Sequence, residues 1–585
     1  MSYLNVPRLT FSGQFQADPS TVNNDPTHFN NETFEPKYQN YGPGQENGWW
    51  NPDGTGNWRF LGCKITSVTY QDGTSTDNPL LDPIIGMSVM DTDARTAGKI
   101  VDLDSQQQMV SQLWGFVVRI VNNEGNTLVK GDYEMAPFSN IWFSRSVDLR
   151  GSSGAGATYQ SVIKNIDWNF KISNSRYLNE LKAVSAKQLS IHFSVDRFNG
   201  DHTSDQFTLG RIAGSIGPSN NREPKHFVLG RQLFPNPLPQ YLPQGQRQKY
   251  NYATALVDEK LKQVVLDFGN ALQFNAEGVN TSENLHLVIN TNTGISVIGQ
   301  INYSGLDWYM NTSGIFTFPL SDEQLDLCNQ YPLAIVTNMT DSINDVFSLK
   351  KSKTGILIYT ESIDYVGADQ FVFRLDPEDK CKINFYATHL GKALPNAIIQ
   401  AQDNTQNLLG SPPPPVVPAV GTPPIPYFSG NKPAEVTTDA NGKAVLRFTA
   451  PDPGNPRVYI DGQIYAISYN LSTQSFDDCN QSNFISLLIF SGAPTPKIIP
   501  DWDNFIQPIM QQYANLYPLM SKGIFNLADK TVVDKNAQIL HLVFSKDLDD
   551  PNYMPATRDL SKYKKTVILN YLQDVIDKTA TANKA

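Results

Sequence analysis

The chain has 585 residues, with 46 basic against 57 acidic side chains and a net charge of −11. That length supports several domains, each able to bury a core without disulfide or metal staples. The acidic balance argues against a phosphate backbone as the main partner, so no nucleic-acid role is expected. Only 18% of the residues are charged, against an ordinary share of about 25%, and a surplus of asparagine takes their place.

Four cysteines, Cys63, Cys328, Cys381 and Cys479, are scattered without a C-x-x-C pair. A zinc ribbon or redox dithiol needs thiols close together, so these read as buried free thiols, and no metal or cofactor is expected. The opening stretch, MSYLNVPRLTFSGQF, lacks the basic and apolar regions of a signal peptide. The longest apolar run, Phe484 to Phe490, is far short of the roughly 20 residues of a membrane helix. The expectation is an acidic, soluble product, cytoplasmic as synthesised, with no membrane span and with signal-independent export left open.

The first chemistry-bearing stretch is a loop rich in Gly and Asn that holds Trp49, Trp50 and Trp58. Aromatic faces in such a loop can stack on a sugar or planar ligand, or they can cap a core. Asn51, Asp53 and Asn57 offer oxygen ligands there, without EF-hand spacing. Two D-x-D pairs follow, Asp91/Asp93 and Asp102/Asp104. On a strand, residues i and i+2 share a face, so each pair could hold a cation or serve as acid and base; turn and cap duty is the commoner use of Asp.

Short β-branched runs at Val117–Val121, Leu189–Val195, Gln263–Phe268 and Thr354–Tyr359 predict strands of sandwiches or barrels. One helix is predicted over Arg176–Lys187, where Leu178, Leu181 and Val184 repeat at helical spacing. E-x-x-H occurs at Glu223/His226 and Glu283/His286. Neither lies in a helical pattern, so neither is expected to chelate an ion. From Lys382 to Tyr469 the chain reads as an immunoglobulin-like sandwich, with Asp439-Ala440-Asn441-Gly442 forming a tight hairpin between two strands. Within it, eight prolines between Pro412 and Pro426 demand an extended, stiff loop. Helices are predicted from Pro500-Asp501, with a late start or kink at Pro508, then over Asp534–Ser545 and Ser561–Lys578. Arg558 is expected to pair with a carboxylate such as Asp529, and His541 to lie on the apolar side of its helix. The signatures G-x-S-x-G, the P-loop and G-x-G-x-x-G are absent.

Several stretches resemble one family. Leu4 to Gly13 (LNVPRLTFSG) is similar to the opening of the iminophenyl-pyruvate dimer synthases, the chromopyrrolate-synthase-like enzymes of the violacein, rebeccamycin and staurosporine pathways. Lys99 to Asp104 lies near the position of that family's VDSDP stretch, and Gly230 to Pro235 (GRQLFP) resembles GRLL-P. Tyr517 to Ser521 with Phe525 to Asp529, and Tyr553 to Leu560, resemble YPFMS…FSLAD and YMP-TR-L. These belong to the N-terminal half of the family enzymes, which continue into a ferritin-like helical domain carrying the metal ligands. The resemblance thus implies the fold of a half-enzyme.

The expectation is a mainly β, multidomain chain with a small α-helical C-terminal segment, divided at 1–235, 236–378, 379–495 and 496–585. Its expected function is a non-catalytic binding or assembly module, not an enzyme on its own. The alternatives are a subunit of an imine-dimerising oxidative enzyme completed by a ferritin-like chain, and a component or cargo of a phage-tail-like injection apparatus. Trp49, Trp50, Trp58, Asp102 and Asp104 are its candidate ligand-binding residues.

Overall fold

The computed structural model describes residues 1–19, 26–39, 51, 53–93, 96–147, 154–169, 174–238, 242, 248–275, 278–279, 283–345, 350–405, 433–475, 484–493, 501–516 and 525–582. Trp49, Trp50, Cys479, the Pro-rich loop 412–426 and the YPLMS stretch 517–521 lie outside the described residues.

Eight antiparallel strands close into a barrel. In order around the ring they are Arg8–Asp18, Leu209–Pro218, Leu189–Asp196, Gly156–Trp168, Thr127–Tyr133, Val117–Val121, Ser88–Met90 and Asn57–Thr69, the last pairing back onto the first. A second arc, Gly98–Asp104, Gln107–Trp114 and Ala136–Trp142, leaves Asn57–Thr69 and rejoins Gly156–Trp168. Alternation decides which side chains fill the barrel: Phe11, Phe60, Tyr159, Ile191 and Phe193 point in. The predicted helix covers Arg176–Val184, with the Ser175 hydroxyl accepting from the Leu178 N–H and with Tyr177, Leu178 and Leu181 buried on the barrel. It ends before Lys187 because Ser185 leaves the helical region, at φ −148° and ψ 63°, and its hydroxyl donates to the carbonyls of Gln188 and Ser219.

The second unit is a near-closed eight-stranded sheet. Its order is Gly294–Gln300, His286–Thr291, Leu333–Asp345, Lys350–Ser362, Arg231–Pro235, Ala253–Asp258, Gln263–Asp267 and Ile315–Pro319. The two ends approach where Gly299 lies against the Phe318 ring, at a distance that leaves no room for a Cβ. Arg231, in the GRQLFP stretch, is buried; it forks onto Glu361 and also donates to the carbonyls of Cys328 and Tyr331.

In the third unit two sheets enclose one core, built on Phe385, Leu446, Tyr465, Ile467 and Leu487. One sheet holds Asp364–Ala368, Lys380–His389, Lys392–Ala393 and Lys443–Thr449; the other holds Val372–Leu375, Phe484–Ile489, Gln463–Leu471, Ile398–Asp403 and Ala434–Thr437. Strand Arg231–Pro235 thus pairs within the second unit, and Asp364–Ala368 and Val372–Leu375 within the third, although the sequence groups them with the preceding units.

The D-x-N-G turn is present but does not make a hairpin. Ala434–Thr437 and Lys443–Thr449 belong to opposite sheets, and the turn carries the chain across the core. Of the Asn-Gly pair, Gly442 alone takes a positive φ, 70°, and a Cβ there would sit 2.4 Å from the Ala387 carbonyl oxygen. The Asp439 carboxylate closes the turn by accepting from the N–H groups of Asn441 and Lys443.

The C-terminal helices pack as a small layer around Ile506, Met510, Val533, Phe544, Ile568 and Leu572. Asp501 caps the first helical segment, and a wide turn over Trp502–Ile506 precedes the α-helix Gln507–Leu516. Pro508 therefore falls in the first α-turn, where proline is tolerated. The second predicted helix is split by Asn536 into Lys530–Lys535 and Ala537–Phe544; the third runs over Lys562–Ala582. Among the described residues, no helix is long and apolar enough to cross a membrane.

Arg558 and Asp529 do not pair. Asp529 caps its own helix by accepting from Thr531 and Val532. Arg558, fully buried, gives its guanidinium to the carbonyls of Leu548, Asp550 and Ala556, with Trp114 5.3 Å from its carbon. Three carbonyls replace the expected carboxylate because the loop before the last helix wraps around the fork.

Candidate functional site

The sequence candidates separate in space. Trp58 is not a loop side chain but the second residue of strand Asn57–Thr69, 1% exposed. It packs inside the barrel against Phe15, Phe60, Phe116 and Phe193. Strand alternation turns it inward, so its face is not open to a ligand.

Asp104 is held by Arg457 of the third unit through hydrogen bonds of 2.9 Å to each carboxylate oxygen. Asp102 accepts from the Ser111 hydroxyl, and its backbone carbonyl accepts from Arg374 at 2.7 Å. Both line a cavity of about 30 Å³, walled also by Asp461 and Asp559. Asp91 and Asp93 are likewise matched by arginines, Arg59 at 3.4 Å and Arg119 at 3.6 Å. Among the described residues, no group of three or more His, Cys, Asp or Glu is placed to hold a metal ion.

A larger cavity, about 310 Å³, opens where the three β units meet. Part of its wall comes from strand faces turned away from each unit's own core. In the barrel, Tyr159 and Phe193 point into the core, so Thr158, Gln160 and His192 point outward, with Gln160 directly across from His192. In the second unit Leu233 and Leu266 are core, which turns Gln232, Phe234 and Asp267 to the cavity. In the third, Val366, Ile485 and Leu487 are core, leaving Tyr365, Phe484 and Ser486 on the cavity side.

Of the 26 residues lining it, nine are Phe or Tyr, and among the described residues three polar atoms of lining side chains are buried without a hydrogen-bond partner: His226 Nε2, Tyr252 Oη and Ser486 Oγ. The other nitrogen of His226 is engaged: Nδ1 lies 2.9 Å from the Asp369 carbonyl oxygen and 3.2 Å from its carboxylate. Asp369 also accepts from the N–H groups of Lys225 and His226. Burial pushes the Asp369 carboxyl up, but His226 and those N–H groups outweigh it and hold the acid below its ordinary range. Elsewhere on the wall, Tyr3 donates to Asp267 at 2.5 Å and its ring stacks on His192 at 4.3 Å. Burial is the main reason that the Tyr3 phenol lies well above its usual value and the His192 imidazole below its own. The carboxylate of Asp267, with Tyr3 and the Gly269 N–H upon it and His192 alongside at 3.6 Å, is already satisfied.

Sequence reasoning set His226 aside as a chance E-x-x-H and did not single out Tyr252 or Ser486. Of the three, Ser486 alone lies on a strand, Phe484–Ile489, at a position that alternation turns away from its own unit's core; His226 and Tyr252 lie in connections between strands, where alternation marks no face.

No family model matches the chain, and no curated protein does. Among solved structures, the chain is similar at 7% identity to domains 1–6 of the surface layer protein SbsC, covering 74% of this chain and 53% of that one, with a TM-score of 0.13. A native-state α2-macroglobulin of E. coli aligns at 9% identity over 74% of this chain and 26% of its own length, also at TM-score 0.13. The chain thus spans about half the length of the surface-layer chain it matches.

Proposed function

We propose that this protein is a non-catalytic binding module whose ligand site is the cavity between its three β units. The observation that carries the reading is a 310 Å³ space lined by nine Phe and Tyr residues together with polar side chains such as Gln160, Gln232 and Thr254. Concave spaces that combine aromatic side chains with a few polar groups are where small molecules bind. The resemblance to the N-terminal half of the imine dimer synthases, and the reading of the third unit as immunoglobulin-like, suit a module that binds rather than reacts.

Ligand-observed NMR with a panel of uncharged one- and two-ring aromatic compounds tests this. Some members are expected to show protein-dependent saturation transfer that the cavity-filling variant Thr254→Trp removes. A panel that gives no such signal, or signals that the variant leaves intact, rejects the site.

A second reading, assembly with a partner chain such as a ferritin-like subunit, is favoured by Ile539 and Leu542. They lie three residues apart on helix Ala537–Phe544 and are 50% and 56% exposed. Replacing both with Gln should abolish co-purification of such a chain while leaving the panel binding unchanged.

A further inference from the structure

We infer that the cavity takes a planar aromatic lactam or carboxamide and that the side-chain amide of Gln160 pairs with the amide of that ligand, an inference that rests on the cavity being a ligand site.

Gln160 follows the core-facing Tyr159 on strand Gly156–Trp168, so alternation turns it out of the barrel and into the cavity wall. The residue is only 8% exposed. Its amide has no hydrogen-bond partner among the described residues, yet neither amide atom is among the unpartnered atoms sealed off from accessible surface. The surface left to that amide is therefore the cavity that Gln160 lines. An amide carries an N–H donor and a carbonyl acceptor side by side in one plane, and turning it over only exchanges the two. Water meets these atoms singly, whereas a ligand amide meets both at once through two parallel hydrogen bonds. A buried donor and acceptor are costly when left unmatched, and such a ligand removes both costs.

The neighbouring wall is flat. His192 lies directly across the ladder from Gln160, where facing Cβ atoms are about 5 Å apart. Its ring is held by stacking on Tyr3, with centroids 4.3 Å apart and planes 9° from parallel. Burial keeps the imidazole below its usual range, so it stays neutral beside the amide at pH 7. Phe234 and Tyr252 meet edge to face at 5.3 Å elsewhere on the wall. Ring faces and edges of this kind suit a flat aromatic body. A space of 310 Å³ stands at the lower end of small-molecule sites, which sets the ligand at one or two rings.

The test compares 2-quinolinone with N-methyl-2-quinolinone, which share the two rings and the carbonyl and differ in the N–H. Isothermal titration calorimetry on the full chain is expected to show the lactam binding about tenfold tighter or more. In Gln160→Met, which keeps the length of the side chain without its amide, the two should bind alike. Gln232→Met, at a second glutamine of the wall, should keep the preference. Equal affinities in the unaltered protein, or tighter binding of the N-methyl compound, overturn the inference and leave the cavity as a site. A preference that survives Gln160→Met, or that is lost only in Gln232→Met, overturns the assignment to Gln160. Failure of both compounds to bind overturns the inference, and the cavity reading falls with it only if the aromatic panel also fails. Should Gln160→Met not fold, Gln160→Asn takes its place: it draws the amide back by one carbon and should lower the preference, and an unchanged preference there overturns the assignment.

Discussion

Arg457 grips Asp104 through two parallel hydrogen bonds of 2.9 Å, joining residues 353 positions apart in the chain. The same guanidinium reaches Gln106 and the carbonyls of Asp461 and Gly462. It is buried with its partner, the two side chains being 2% and 4% exposed, so the pair clamps the second arc of the barrel to the third unit. An Asp that looked like a cation ligand is instead half of an interdomain ion pair.

Removing one member should therefore cost more than removing both. Asp104→Ala leaves a buried guanidinium without its counter-charge and should destabilise the protein by about 3–5 kcal/mol. The double variant Asp104→Leu with Arg457→Met should recover a large part of that loss. Urea denaturation followed by circular dichroism reads both effects; a single variant no weaker than the double one would refute the clamp.

Asp102 predicts a pH dependence. Burial is the main cause that pushes its carboxyl up to about 7, over the opposing Ser111 hydrogen bond and the Arg374 charge. The unfolded chain releases this proton near pH 4, so between there and pH 7 the native state holds a proton that the unfolded state has lost. Its contribution is complete below that range, falls as pH rises through it, and levels off above about 7. Asp102 keeps some solvent contact, so the slope should stay below the one-proton limit of about 1.4 kcal/mol per pH unit. Stability measured at pH 5 and pH 8 should differ more in the natural protein than in Asp102→Asn; parallel profiles would show that the carboxyl titrates at its ordinary value.

Trp58 should behave as core. Trp58→Ala is expected to cost about 3–5 kcal/mol, because it empties a packed barrel interior, and Trp58→Phe less. Neither should alter binding of the aromatic panel by the folded protein, since Trp58 is not among the residues lining the cavity. A stable Trp58→Ala protein with altered ligand affinity would return this residue to the binding surface.

Gly13 should tolerate no side chain. A Cβ there would lie 2.7 Å from Cys63 Cα and 2.8 Å from its nitrogen, on the neighbouring strand of the same ring. The ladder between the two strands already shifts register around Gly13, between Ser12 and Gln14. Because the obstruction is backbone, relief requires the strands to part, and Gly13→Ala should lower stability by about 1–3 kcal/mol. A denaturation midpoint unchanged from the natural protein would mean that the strands can separate without cost.

Local patterns carried the parts of this structure that depend on a few neighbouring residues. Val117–Val121 is a strand at the predicted bounds, and the helix beginning at Arg176 is capped by the preceding Ser175. Apolar pairs recurring every four residues, Val567–Ile568, Tyr571–Leu572 and Val575–Ile576, placed the last helix, and β-branched runs with polar boundaries marked the class as mainly β. Those signals survive because alternation, helical periodicity and capping are set within a turn or a strand. What alternation could not say is which sheet a strand joins. The turn at Asp439 reads as a hairpin, yet its flanking strands enter opposite sheets, because the core between those sheets is a long-range arrangement.

The site lay beyond local reach for the same reason. Gln160, His192, Gln232 and Ser486 sit on strand faces that look polar and solvent-facing one strand at a time. Only the packing of three units, pinned by Arg457 on Asp104 and Arg145 on the carbonyls of Gly269 and Leu272, turns those outer faces into one cavity. Burial there is a property of the tertiary contact rather than of any segment. Sequence determined which side chains each strand presents on either face; tertiary structure decided which of those faces meet, and so where the cavity between the three units lies.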